Sequence, residues 1–236
     1  MLKRIPEKRN HFENMAVAIL LALAVNGIAY YGTRMYGPIR EPFDFAGKID
    51  RMIPLIPWTV SVYLGAYLFW IVNYVLGCMQ EKQAFFRFMS ADFFAKTICL
   101  FCFLFLPTTT LRPSVTGSGF WNGIISWLYH TDAADNLFPS IHCLTSWFAV
   151  IAVRNNPRIP DWYKVISLIL AAAVCVSTLT TKQHILMDLF GGIVLAEASH
   201  AIVAATGFSS LYERVIRFIN HRTLYTVFRE MRPDTN

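Results

Sequence analysis

TTKQHILMD, residues 180–188, is a polar stretch inside a region that is otherwise almost wholly apolar from residue 162 to residue 207. A single helix through that region, at about 1.5 Å per residue, would be roughly twice as long as a bilayer crossing requires. The chain must therefore turn back near Lys182 and form a helical hairpin. The turn predicts that Lys182 and His184 lie at a membrane surface, with Asp188 one helical turn after His184 on the same face. Ionisable residues are costly near lipid, so this stretch is a candidate functional site.

The composition indicates an integral membrane protein. Hydrophobic residues make up 55% of the 236 residues, and the mean hydropathy is +0.43. The net charge of +6 comes from basic residues at the ends of apolar segments. That distribution favours membrane lipids as the partner and argues against nucleic acid.

The apolar segments predict an all-α bundle of six transmembrane helices. Four helices are predicted at residues 15–31, 58–79, 92–106 and 139–153, and the hairpin at 162–207 supplies the last two. A short helix is predicted around residues 121–129, and Gly191 and Gly192 are predicted to let another helix approach closely. The domain organisation is then a basic N-terminus at 1–14, the six-helix membrane domain at 15–207 and a basic amphipathic segment at 208–236.

The distribution of lysine and arginine predicts the orientation of the bundle. With both termini on one side, the segments on that side hold 14 basic residues and the opposite loops hold six. The positive-inside rule places both termini in the cytoplasm. Arg112, Ser140, His142, Lys182 and His184 then all lie on the extracytoplasmic side of a multi-pass membrane protein, such as one of the plasma membrane.

Two histidines, two cations, an aspartate and a serine at a helix start are side chains that suit phosphoryl transfer. An imidazole can attack phosphorus and carry the group covalently, and a neighbouring carboxylate can fix its tautomer. A second imidazole can protonate the leaving oxygen. Cations and backbone N–H groups at a helix start can hold the remaining oxygens. This chemistry needs no cofactor and no metal, and Cys99 and Cys102, although spaced as a metal pair, lack a second pair and are expected to be packing residues.

The motifs resemble those of the type 2 phosphatidic acid phosphatase superfamily of membrane lipid phosphatases, over roughly residues 58–207. The family pattern is K-x6-R-P, then P-S-G-H, then S-R-x5-H-x3-D. Here Pro139-Ser140-Ile141-His142 is followed by Ser177-Thr178-x5-His184-x3-Asp188. The resemblance implies a six-helix membrane fold with its site on the outer face.

By position, the resemblance implies that His184 is the nucleophile that becomes a phosphohistidine, Asp188 its partner and His142 the general acid. Arg112 and Ser140 would hold phosphate oxygens, and Ser177 is a further candidate. Phe105, Ile141 and Thr178 replace the family's lysine, glycine and arginine, so two phosphate-binding cations are missing. Lys182 is the expected replacement. Each of these residues also has a plainer interpretation. Lys182 would be a hairpin-tip lysine without a role, Arg112 would only reach lipid headgroups, and Asp188 would be paired with another cation.

The expected function is hydrolysis of a lipid phosphomonoester or diphosphate. The Ser-Thr variant also resembles the inositol phosphorylceramide synthase branch, so a lipid phosphotransferase that moves a headgroup to an alcohol is the alternative. A transporter or flippase, in which the intramembrane charges mark a pathway, is a more distant one.

Overall fold

The computed structural model describes the backbone of residues 7–36 and 41–230 and the side chains of residues 13–35 and 41–221. It is an all-α membrane bundle, as predicted. The helices are α1 (Glu7–Gly27), α2 (Thr33–Tyr36), α3 (Lys48–Met52), α4 (Val60–Cys78), α5 (Lys82–Phe105), α6 (Phe120–Thr131), α7 (Ile141–Arg154), α8 (Asp161–Thr180), α9 (Leu186–Ala205) and α10 (Phe208–Glu230). A π-helical turn joins α1 to α2, and the strands β1 (Phe43–Asp44) and β2 (Thr108–Thr109) form one short parallel pair.

Five helical segments of the described chain are long and apolar enough to cross a membrane. They are Glu13–Met35, Pro57–Cys78, Lys82–Phe105, Asp161–Thr180 and Leu186–Ala205. The remaining predicted span corresponds to α7, which has 14 residues and a length of about 21 Å, against a hydrocarbon thickness of about 30 Å. The count of six spans and the cytoplasmic termini therefore stay predictions.

Helix α5 begins ten residues earlier than the predicted start at residue 92. The charged residues Lys82 and Arg87 suggested a turn. They lie instead in the first turns of the helix, because Phe85, Phe86, Phe88 and Met89 between and beyond them are buried in the main hydrophobic core. Burial of these large side chains outweighs the local polarity. The short predicted helix near residue 121, by contrast, is confirmed as α6.

Helix α7 is the centre of the bundle and packs against α4, α8 and α9. Its contact with α9 is close because Gly192 faces it: a Cβ at Gly192 would lie 2.6 Å from the Ser140 carbonyl oxygen and 3.1 Å from the Cys143 Cβ. The predicted close approach at Gly191 and Gly192 is thus confirmed, since a Cβ at Gly191 would also meet the Phe138 ring at 2.5 Å. This contact sets the distance between the first turns of α7 and α9.

A buried ion pair lies near the middle of α5. Lys96 Nζ donates to Asp92 Oδ2 at 2.8 Å, and Tyr74 Oη from α4 donates to the other oxygen, Oδ1, at 2.6 Å. Asp92 is fully buried and Lys96 is 5% exposed. Both carboxylate oxygens are therefore satisfied within the bundle.

The C-terminal helix α10 lies against α5 and α1. Tyr212, Ile216 and Asn220 are buried at four-residue intervals, whereas Arg214 and Arg217 are exposed. Asn220 Nδ2 donates to Asn14 Oδ1 at 3.0 Å and ties α10 to α1. Of the predicted terminal segments, residues 1–6 and 231–236 lie outside the described residues.

Candidate active site

Two cavities lie side by side at the end of the bundle where α7 and α9 begin and α8 ends. The first, here called the aromatic cavity, has a volume of about 440 Å³, and its lining includes Tyr30, Tyr63, Tyr67, Trp70, Gln183 and both predicted histidines. The second, the cationic cavity, has a volume of about 410 Å³ and is lined by Arg51 and Lys182 together with Asp44 and Asp50. Arg112 and His184 line both cavities, so they form the shared wall.

His184 is positioned by the turn between α8 and α9. Lys182 adopts a left-handed conformation with φ of +56°, a strained backbone state for a residue with a side chain. The turn is held because the N–H groups of Gln183 and His184 both donate to the Thr178 carbonyl, at 2.9 and 3.1 Å. The predicted hairpin tip is therefore a tight, ordered turn.

Asp188 holds His184 from the first turn of α9. Its Oδ2 accepts from the Ile185 N–H at 3.0 Å and lies 3.4 Å from His184 Nδ1. A carboxylate next to Nδ1 keeps the proton on that nitrogen and leaves the lone pair on Nε2. Burial lowers the pKa of His184, but hydrogen bonding to Asp188 and its charge outweigh burial, so the pKa is raised above its ordinary value.

His142 is the second residue of α7, and its ring is enclosed by aromatic side chains of α4. It stacks on Tyr63 with centroids 4.3 Å apart, and Trp70 and Tyr67 lie at 5.2 and 6.2 Å. Tyr63 Oη is 3.4 Å from Nδ1, whereas Nε2 is buried and has no hydrogen-bond partner among the described residues. The nitrogen left for a ligand is therefore Nε2.

The two histidine rings both line the aromatic cavity, with centroids 6.2 Å apart and ring planes at 51° to each other. A phosphorus atom under attack needs the nucleophile at about 3–3.5 Å, and a proton donor must lie within about 2.6–3.2 Å of the leaving oxygen. Rings at this separation can flank one phosphoryl group. The pairing of these two residues was predicted from their motifs, and the structure brings them together.

Arg112 reaches the same cavity from the loop after β2. Its guanidinium donates to the carbonyls of Asp132 and Ala133, and Nη2 donates to Gln183 Oε1 at 2.6 Å. The guanidinium also lies over the Tyr129 ring, 4.9 Å from its centroid. Burial lowers the pKa of Arg112, but an arginine remains a cation in proteins. Its Nε is buried and without a partner among the described residues.

The other predicted phosphate ligands lie elsewhere. Lys182 lines the cationic cavity, and its Nζ donates to the Asp50 carbonyl at 2.9 Å. Ser140 caps α7 by accepting from the Cys143 N–H at 3.2 Å, and Ser177 Oγ donates to the Val174 carbonyl at 2.7 Å. Neither serine contributes to the lining of the aromatic or the cationic cavity. Phe105, at the position of the family's lysine, is exposed.

Sequence reasoning missed the aromatic enclosure of His142. Tyr63, Tyr67 and Trp70 follow one another at intervals of four and three residues, which places them on one face of α4. That spacing could have indicated the aromatic enclosure of His142.

Sequence reasoning also missed the pairing of Asp132 and Asp135 with Arg34. The Arg34 guanidinium donates to both carboxylates, at 3.1 and 2.7 Å.

Replacing Asp188 by asparagine should move the pH dependence of catalysis. His184 must be unprotonated at Nε2 to attack, so kcat/KM should rise with pH through its pKa. The carboxylate raises that pKa, so Asp188→Asn should shift the rising limb about one pH unit lower and reduce the maximal rate at least about tenfold. Asparagine keeps an oxygen for the Ile185 N–H. A pH–rate profile of both proteins checks this, and an unmoved limb would contradict the role of Asp188.

Comparison with known proteins agrees with this geometry. No curated protein sequence matches the chain significantly. Residues 100–212 match the model of the PAP2 superfamily, and this stretch contains Arg112, His142, His184 and Asp188. The matched model is that of the family that the motifs of this chain resemble.

Proposed function

We propose that the protein is a membrane phosphatase that hydrolyses a lipid phosphomonoester or diphosphate through a phosphohistidine on His184. The match of residues 100–212 to the PAP2 superfamily model supports phosphatase-type or phosphotransferase-type activity on phosphate esters. The observation that best supports a phosphohistidine on His184 is the pair of imidazole rings in one cavity, whose centroids lie 6.2 Å apart. One lies beside the Asp188 carboxylate, and the other has a buried Nε2 without a hydrogen-bond partner in the part of the chain that the structure describes.

In the first step, His184 Nε2 attacks phosphorus and the bond from phosphorus to the leaving oxygen breaks. His142, in its imidazolium form, gives its Nε2 proton to that oxygen, so the leaving group is the lipid alcohol of a phosphomonoester or the lipid monophosphate of a diphosphate, and His142 is left neutral. In the second step, a water molecule attacks the phosphohistidine while His142 takes its proton. The N–P bond then breaks and phosphate leaves. Arg112 stabilises the charge on the phosphoryl oxygens in both steps.

A lipid fits the surroundings of this cavity. Tyr31 and Trp127 line its rim and are 66% and 55% exposed, and aromatic side chains of this kind favour the membrane–water interface. The tail would lie between helices while the headgroup reaches the histidines. Phosphatidic acid, phosphatidylglycerol phosphate and polyprenyl diphosphate are the candidate substrates, and the charge distribution of the loops supports a reaction on the extracytoplasmic side.

The proposal is tested with detergent-purified protein, a panel of lipid phosphates and no added metal. Hydrolysis predicts release of free phosphate and, with a ³²P-labelled substrate, an acid-labile and alkali-stable label on the protein. Transport of the lipid by the protein reconstituted into vesicles, without any covalent label, would overturn the proposal in favour of a flippase.

A phosphotransferase is the second candidate. The aromatic cavity extends beyond His142 to Asn26 and Asn136, which gives an acceptor alcohol polar groups to bind in the position of the attacking water. Product analysis separates the two reactions: a new phospholipid or sphingolipid headgroup indicates transfer, and free phosphate indicates hydrolysis.

Lys182 is proposed to assist phosphate binding from the cationic cavity in place of the missing motif cations. Burial lowers the pKa of Lys182, and the charge of Asp50 opposes that effect. Because its Nζ donates to the backbone carbonyl of Asp50, Lys182 can still attract an anion in the cationic cavity. Lys182→Met should raise KM by about tenfold, the value of one partly exposed charge contact. Lys48→Met is the matched control, because Lys48 is an exposed lysine at the start of α3. Full activity and unchanged KM in Lys182→Met would rule this role out.

A further inference from the structure

Gln183, which lies between Lys182 and His184 and belongs to no recognised motif, has an unusual environment. It is 2% exposed although it lines the aromatic cavity. Its Oε1 accepts from Arg112 Nη2 at 2.6 Å, whereas its Nε2 has no hydrogen-bond partner among the described residues. A buried amide nitrogen without a partner is unfavourable unless a ligand supplies the acceptor.

The orientation of this amide is fixed by chemistry. An arginine has only N–H donors, so the atom that faces Arg112 Nη2 must be the carbonyl oxygen. A flipped amide would place its NH₂ group against the guanidinium and lose that hydrogen bond. The NH₂ group of Gln183 is therefore directed away from Arg112 and remains available as a donor.

His184 Nδ1 has only the Asp188 carboxylate near it, at 3.4 Å, and two further buried nitrogens of residues that line this cavity have no hydrogen-bond partner among the described residues, namely Arg112 Nε and His142 Nε2. Together with Gln183 Nε2 they form three donors from the loop after β2, from α7 and from the turn between α8 and α9. Three donors from residues that line one cavity match the several oxygens of a phosphoryl group, which are acceptors. A neutral alcohol or an ammonium group would not satisfy them.

We propose that Gln183 is a phosphoryl-binding residue, with its Nε2 donating to an equatorial oxygen of the group that His184 attacks. This inference rests on the proposed function. The family pattern has a phosphate-binding arginine where this chain has Thr178. Gln183 and Arg112, which are hydrogen-bonded through Gln183 Oε1, would bind the phosphoryl oxygens in its place. The Thr178 hydroxyl donates to the Cys175 carbonyl at 2.7 Å, and the Thr178 carbonyl holds the N–H groups of Gln183 and His184.

The variant that tests this role is Gln183→Glu. Glutamate has the same shape and still accepts from Arg112, but it replaces the NH₂ donor by a negatively charged oxygen. A residue that merely positions Arg112 would tolerate this change. A residue that binds the phosphoryl group would not, so kcat/KM should fall at least 100-fold. Gln183→Met, which loses both ends of the amide, should lose less than Gln183→Glu because it adds no repulsion.

Binding of orthovanadate, which mimics the five-coordinate phosphorus, gives a readout independent of turnover. We expect Gln183→Glu to weaken vanadate binding at least tenfold, with an unchanged unfolding temperature. Gln83→Glu is the matched control, since Gln83 is an exposed glutamine of α5 at the far end of the bundle, and it should behave as wild type. Wild-type vanadate affinity in Gln183→Glu would overturn the inference.

The two proposals can fail separately. If the wild-type protein forms a phosphohistidine and Gln183→Glu forms it at the same rate, only the role of Gln183 is wrong. If the wild-type protein forms none, the proposed function fails, while the vanadate measurement still decides whether Gln183 binds an anion.

Discussion

Replacement of His184 by glutamine is expected to lower kcat/KM by at least about 10³-fold, which corresponds to about 4 kcal/mol of transition-state stabilisation. Glutamine is close in size and keeps a polar group near Asp188, so the fold should persist. It cannot attack phosphorus through a nitrogen lone pair. The covalent label from a ³²P-labelled lipid phosphate should disappear together with the activity.

His130 offers the control for this experiment. It is an exposed histidine at the end of α6, on the same side of the bundle as the two cavities, so His130→Gln should leave rate and label unchanged. A His184→Gln protein that still becomes labelled would place the covalent intermediate on another residue and refute the assignment of the nucleophile.

Replacement of Gly192 by valine should be the most damaging change that leaves every polar residue of the site in place. A Cβ there would lie 2.6 Å from the Ser140 carbonyl oxygen, which is backbone and cannot swing away. Helices α7 and α9 would have to separate, which weakens the bond from Ser140 N–H to the Asp188 carbonyl. Since a misplacement of about 1 Å costs about 10²-fold, activity should fall more than 100-fold, and overpacking should destabilise the fold by about 1–3 kcal/mol.

Gly65→Val separates this packing effect from the cost of valine in a helix. Gly65 lies in α4 and is exposed. A Cβ added at this position would meet no atom of a neighbouring segment within 4 Å. We expect its activity and unfolding temperature in detergent to stay near those of the wild type. Equal behaviour of the two variants would show that the contact between α7 and α9 does not set the site geometry.

The sequence was sufficient to predict the parts of the site that depend on helix geometry. The polar interruption at residues 180–188 forces the hairpin, and the spacing of four residues places Asp188 beside His184. The first turn of α7 then lies at the same end because successive helices alternate in direction. The fold class and the meeting of His142 with His184 follow from these constraints.

What could not be predicted is the direction of side chains held by loops. Lys182 is drawn to the carbonyl of Asp50 and so lines the cationic cavity, which depends on the position of α3. Arg112 is held by carbonyls of the segment after α6 and by Gln183. Such contacts join segments far apart in the chain, and no local pattern reports them. The early start of α5 was missed for a similar reason, because its polar first turn is stabilised by distant packing.

The Asp92–Lys96 pair bears on how the chain enters the membrane during synthesis. A lone charge at the centre of a helix costs about 2.5–3.5 kcal/mol on insertion scales. Because the two residues lie one turn apart on α5, each neutralises the other before any tertiary contact has formed. Helix α4 emerges earlier from the ribosome and already carries the Tyr74 hydroxyl that satisfies the remaining carboxylate oxygen. The helical pair α4–α5 can thus partition into lipid as a self-sufficient unit, ahead of the segments that later bring the histidines together.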